Sequence, residues 1–150
     1  MKRIITAAAI GLAGMVGVTR AQAPPAEEVI KGRQGAMMLS GVAMASIKGA
    51  IDAGQPLASQ RFSTRSLARW AHAVPGMFPA GSGPEAGVPS NARAEIWSDR
   101  AGFEARAADY AAAADRLAEL AAGDDAAAFA GQWTAVRATC QACHDGYKAG

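Results

Sequence analysis

The last thirteen residues read ATCQACHDGYKAG (138–150) and hold both cysteines of the chain, Cys140 and Cys143, with His144, one of its two histidines. Upstream, Phe129, Trp133, Val136, Cys140, Cys143 and Tyr147 recur at steps of four, three, four, three and four. That is the stripe of a helix packed among other helices. It predicts a C-terminal helix whose inner face carries the two thiols. At about 100° per residue, offsets of zero, three and four place Cys140, Cys143 and His144 within one arc of roughly 100°. One planar object can meet all three.

Three further segments share the helical period. Residues 25–53 carry Ile30, Met37, Met44, Ile47 and Ile51, with a stop at Gly54 and Pro56. Residues 59–75 carry Phe62, Leu67, Trp70 and Val74. Ser98 or Asp99 is a suitable N-cap for a third helix with Phe103, Tyr110, Leu117 and Ala121, ended by Gly123, and Asp124 or Asp125 caps the fourth. No segment alternates with period two for the length of a strand. The fold class is therefore all-α, an antiparallel four-helix bundle. Alanine-rich faces bury little area apiece, so a large bound cofactor would complete such a core. Gly32, Gly35, Gly41 and Gly49 lie in the first helix. Each costs up to about 1 kcal/mol relative to alanine, and lets something bulky approach. The Gly- and Pro-rich stretch 75–91 suits a crossover or a cover.

The 150 residues are enough for one core. Lys2 and Arg3, an apolar run over 4–18 and the small-residue exit Ala21-Gln22-Ala23 read as an export signal. The run falls short of the roughly 20 residues that span a bilayer. The expected organisation is a signal peptide, 1–21, and one mature domain, 22–150; a cut after Ala23 is the alternative, though it leaves Pro24 first. Removing Lys2, Arg3 and Arg20 leaves twelve bases against thirteen acids, a formal −1 in place of +2. A mature chain without basic excess has no electrostatic hold on nucleic acid or on an anionic membrane surface.

C-x-x-C-H is the attachment pattern of c-type haem. Each thiol adds across a vinyl group to form a thioether, and the neighbouring imidazole gives a ring nitrogen to the iron. With an export signal this implies bacterial maturation in the periplasm. Other uses of the pair fit less well. A redox C-x-x-C belongs in a thioredoxin-like βαβ unit, a mid-helix i, i+3 pair is a poor disulfide, and structural zinc takes four ligands where three and a distant His72 are present. A non-haem thiol- or metal-binding helical protein is the alternative from another class. Trp70, Trp97 and Trp133 read as packing.

Several stretches in the same order extend the comparison: RQGAM (33–37), the F-P-x-G-S loop (78–82), E-I-W-S-D-x-x-x-F (95–103) and C-x-x-C-H-x-x-Y-K (140–148). On these the chain resembles the class II c-type cytochromes, and most closely the cytochrome c′ family, over essentially its whole mature length. The resemblance implies one covalent haem c, with His144 as proximal ligand and metal-binding residue, and Met37 over the opposite face. An unbonded Met37 leaves five-coordinate iron open to NO and CO; a bonded one makes a six-coordinate, low-spin electron carrier of the c-556 type. It also implies Arg33 and Gln34 near the haem propionates, Asn91 at the haem edge, and Lys148 in a place usually held by arginine. Electron transfer with a small redox partner protein or reversible gas binding is the implied function, without catalytic turnover. Homodimers through the first two helices are common in the family.

Overall fold

Asp99 and Asp125 sit where backbone N–H groups would otherwise lack partners, accepting from Gly102 N and Ala128 N. They start the helices Arg100–Leu120 and Ala126–Tyr147, of 21 and 22 residues. The structure, a computed structural model, describes residues 24–150; the export signal read at 1–21 and its alternative cleavage positions lie outside the described residues. Five α-helices follow in order: α1 (Ala26–Asp52), α2 (Arg61–Ala73), α3 (Glu95–Ser98), α4 (Arg100–Leu120) and α5 (Ala126–Tyr147). Four of them form the antiparallel bundle. α4 packs against both α2 and α5, and α1 touches α2 and α5. The one-turn α3 leads into α4.

α1 begins after Pro25, with Glu27 and Glu28 favourably placed against the positive end of its dipole. It ends before Gly54, whose φ of +60° suits glycine. Ile30 and Ile47 are fully buried, as the period requires, whereas Met37, Met44 and Ile51 are half-buried. The methionines face a cleft. The segment expected over 59–75 is α2 flanked by 3-10 turns at Leu57–Gln60 and Val74–Met77. Its inner face is Thr64, Leu67, Ala68 and Ala71; Phe62, five residues and about 140° from Leu67, is 82% exposed. In α4, Phe103, Tyr110 and Leu117 are buried together with Ala107, Ala111 and Ala114.

The stretch between α2 and α4 is pinned rather than loose. Arg33, only 2% exposed, donates to Ser82 Oγ at 2.9 Å and Ser90 Oγ at 3.4 Å, and its guanidinium lies 4.6 Å from the Phe78 ring centre. Arg100 donates to the carbonyls of Phe78 and Pro75 at 3.0 and 2.8 Å, and the Trp97 indole to Pro79 O at 3.0 Å. Phe78 meets Phe103 edge-on at 5.1 Å. The C-terminus closes on the same region: Ala92 and Lys148 form an antiparallel bridge, Arg93 N donates to Tyr147 O and Ala149 N to Asn91 O. Tyr147 donates to Asp99 Oδ2 at 2.8 Å, so the cap of α4 also ties down the last turn of α5.

Asp99→Ala removes both bonds. We expect a loss of about 1–3 kcal/mol, the sum of a cap and a side-chain hydrogen bond, in urea unfolding, with Asp99→Asn losing less because an amide oxygen still accepts.

Candidate functional site

The inner face of α5 continues past the core into a cleft. Phe129 and Val136 are fully buried; one to two turns on, Cys140 and Cys143 are half-buried, and His144 stands more open. All three line one cavity of about 370 Å³, between α5, α1 and α4, within the range of cofactor and ligand sites. Both thiols are free. Burial pushes them up from their ordinary value, Cys143 further through its neighbour Cys140, so they are protonated at neutral pH. Burial and the Lys148 cation push His144 down. Its imidazole is neutral there, the form that ligates a metal.

Opposite α5, the wall is made by α1. Met37, Ser40, Gly41 and Met44 face the cavity from successive turns, and a Cβ built on Gly41 meets nothing within 4 Å. Trp133 fixes the separation of the walls by donating its indole N–H to Met44 O at 2.9 Å. From α4 come Ala107, Tyr110 and Arg106. Tyr110 is 8% exposed and lines the cavity. Desolvation holds its pKa far above the ordinary phenol.

Of the residues the sequence singles out, Cys140, Cys143, His144 and Met37 come together here. Arg33, Gln34 and Asn91 do not line the cavity. Arg33 is spent on the loop serines, Gln34 donates to Pro89 O at 3.0 Å, and the Asn91 carbonyl receives Ala149 N at 2.8 Å. His72 lies outside, 2.8 Å from Asp115. Gly41 is one of the first-helix glycines expected to let something bulky approach, and Ser40 was findable from its offset of three from Met37; Tyr110 and Trp133 read as core because cavity-facing and core-facing positions share one period.

The cavity fits haem c on its own chemistry. Two thiols and an imidazole share one arc, and the facing wall has open space at Gly41 where a larger side chain would stand. Among the described residues no three or more His, Cys, Asp or Glu side chains converge as a bare-ion site would need. A helical bundle that leaves an apolar slot beside C-x-x-C-H defines a helical c-type haem protein.

The family model described as "Cytochrome C'" matches residues 28–148. The chain belongs to the cytochrome c′ family, whose members bind haem c. It is 31% identical over 128 residues to a cytochrome c′ of Halomonas halodenitrificans, covering 82% of this chain and 97% of that one. It is 29% identical to one of Rhodospirillum rubrum, with 99% of each chain covered. The crystal structure of cytochrome c′ from Thermochromatium tepidum superposes with a TM-score of 0.75 at 28% identity, over 83% of this chain and 97% of that one.

Gly41→Leu places a side chain in the open part of the cavity. The expected result is a folded helical protein by circular dichroism with a markedly lower ratio of haem to protein absorbance.

Proposed function

We propose that the chain is an exported, periplasmic cytochrome with one haem c joined to Cys140 and Cys143 and His144 as its axial ligand. It carries electrons or reversibly binds NO or CO at five-coordinate iron, and performs no catalytic turnover. The observation that carries this is the division of the cavity: both thiols and the cleft imidazole stand on α5, while α1 offers no second imidazole, His72 being held outside by Asp115. Haem c supplies an iron that changes oxidation state and accepts a small axial ligand.

The chain's own residues set the conditions. The raised thiols stay protonated until they react, and the lowered imidazole keeps a lone pair free. The Cys140 and Cys143 side chains fix the rotation of any group bound to them, since they lie one turn apart on a rigid helix. The walls are mostly apolar, which would strengthen polar contacts inside once a cofactor closes the cleft. Met37, half-buried in packing contact with the core, acts as a shield over the open face. Gln34, whose amide keeps a second N–H, and the exposed side chain of Asn91 are the groups free to meet the cofactor's carboxylates; Arg33 acts by holding the loop. Among the described residues no helix is long and apolar enough to cross a membrane, which suits a mature domain, 22–150, released after the signal is removed.

The same reading includes a homodimer through α1 and α2. Met38, Leu39 and Val42 on α1 and Phe62 on α2 are 74%, 69%, 65% and 82% exposed, an apolar set that a second copy would cover.

An absorbance scan of the reduced protein, with and without CO, tests the iron. The expected spectrum is high-spin and shifts on adding CO, and Met37→Leu keeps the high-spin spectrum. A sharp low-spin band that ignores CO, and turns high-spin in Met37→Leu, would establish the six-coordinate His144/Met37 carrier instead. Covalent attachment is checked by intact mass: Cys140→Ala/Cys143→Ala should carry no haem increment, and a native chain of bare polypeptide mass would refute the attachment.

A further inference from the structure

The wall of α1 that faces the cavity is one stripe, Met37, Ser40, Gly41 and Met44, at offsets of zero, three, four and seven. Inner stripes elsewhere in the bundle are filled mostly by apolar side chains such as Phe103, Leu117, Phe129 and Val136. Here the two middle positions, flanked by methionines, are a hydroxyl and the smallest residue. Both cost helix propensity relative to alanine. Packing gives no reason for them: the space beside Gly41 is open to 4 Å, and Ser40 Oγ reaches only its own helix, donating to Met37 O at 2.7 Å. Local rules broken without structural return mark functional positions.

The back-bond of Ser40 is not one the helix needs. Met37 O also accepts the helical N–H four residues on, so the hydroxyl can turn away without leaving a carbonyl orphaned. We propose that the Ser40 hydroxyl is the hydrogen-bond donor to a diatomic ligand on the side of the iron away from His144, with the space beside Gly41 admitting that ligand. The inference rests on the five-coordinate reading above. A ligand such as NO or CO draws electron density from reduced iron and becomes partly negative at its outer atom. A fixed O–H dipole aimed at that atom is worth more between apolar walls than in solvent. Of the side chains that α1 turns into the cavity, Met37, Ser40, Met44 and Ala45, the serine is the one donor, a thioether being a weak acceptor alone. Ser40 thereby sets selectivity, favouring ligands in proportion to the charge they accumulate.

The test uses the reduced holoprotein with CO as probe, reading the infrared C–O stretch and the CO release rate in the native protein, Ser40→Ala and Ser40→Thr. In Ser40→Ala the stretch should move to higher wavenumber and CO release should quicken about two- to tenfold, the worth of one neutral hydrogen bond. Haem content and the midpoint of thermal unfolding should stay native. Ser40→Thr, which keeps the hydroxyl, should retain the native stretch. CO bound with the same stretch and release rate in Ser40→Ala overturns the role of Ser40 and leaves the five-coordinate reading standing. A reduced native protein that takes up no CO overturns that reading and this inference together.

Discussion

Three side chains on one helix, Cys140, Cys143 and His144, must keep a common direction, and this depends on α5 staying helical to its end. A final turn normally frays, because its last carbonyls lack partners. Here it is held from outside. Lys148 N still bonds to His144 O, the Ala92–Lys148 bridge fixes the exit of the chain, and the Tyr147 hydroxyl is bound to Asp99. The same Asp99 caps α4, so the helix that carries the thiols and the helix that carries Tyr110 share one anchor. His144 lies inside that clamped turn.

The distribution of bulk explains why there is a cavity to anchor. Large buried residues, Ile47, Leu67, Phe103, Leu117 and Phe129, seal much of the bundle. Around the thiols the inner positions are Gly41, Ala45 and Ala107 beside two methionines. Alanine stabilises each helix singly but leaves little area to bury between helices. An apolar body in the slot would complete such a bundle and would tie the stability of the fold to occupancy of the site.

The helix periods were legible because the burial they specify is the burial observed at Ile30, Ile47, Phe103, Leu117, Phe129 and Val136. So were the two aspartate caps. Phe62 lies outside, against the expectation for its segment, because its angle from Leu67 takes it off the inner face. The short α3 has too few residues to show a period. Arg33 illustrates a deeper limit. A charged residue near a helix start reads as exposed or as a partner for an anion, yet it is buried against Phe78 and two serines. The two serines lie 49 and 57 residues away, and no local pattern encodes them. The four cavity residues that the sequence did bring together are bound by periodicity or by the C-x-x-C-H spacing, whereas the placement of Arg33, Gln34 and Asn91 depends on tertiary contacts.

With haem c in the slot as proposed, the distance between α1 and α5 would decide the chemistry of the face opposite His144. A thioether bonds a metal only at short range, so a small inward shift of α1 separates a shielding Met37 from a ligating one. Two features resist that shift. The Trp133 indole stands between the walls, its N–H on Met44 O at 2.9 Å, with the Lys48 ammonium 5.9 Å from its ring centre. At the other end of the same α1 stripe, buried Arg33 is locked into the loop. A rigid ring with a donor at its edge is a spacer as well as a fastener: it sets a minimum approach that an aliphatic residue would not. α1 is thus held both toward α5 and away from it, and Met37, between these two fixed points, gains only the freedom of its own side chain.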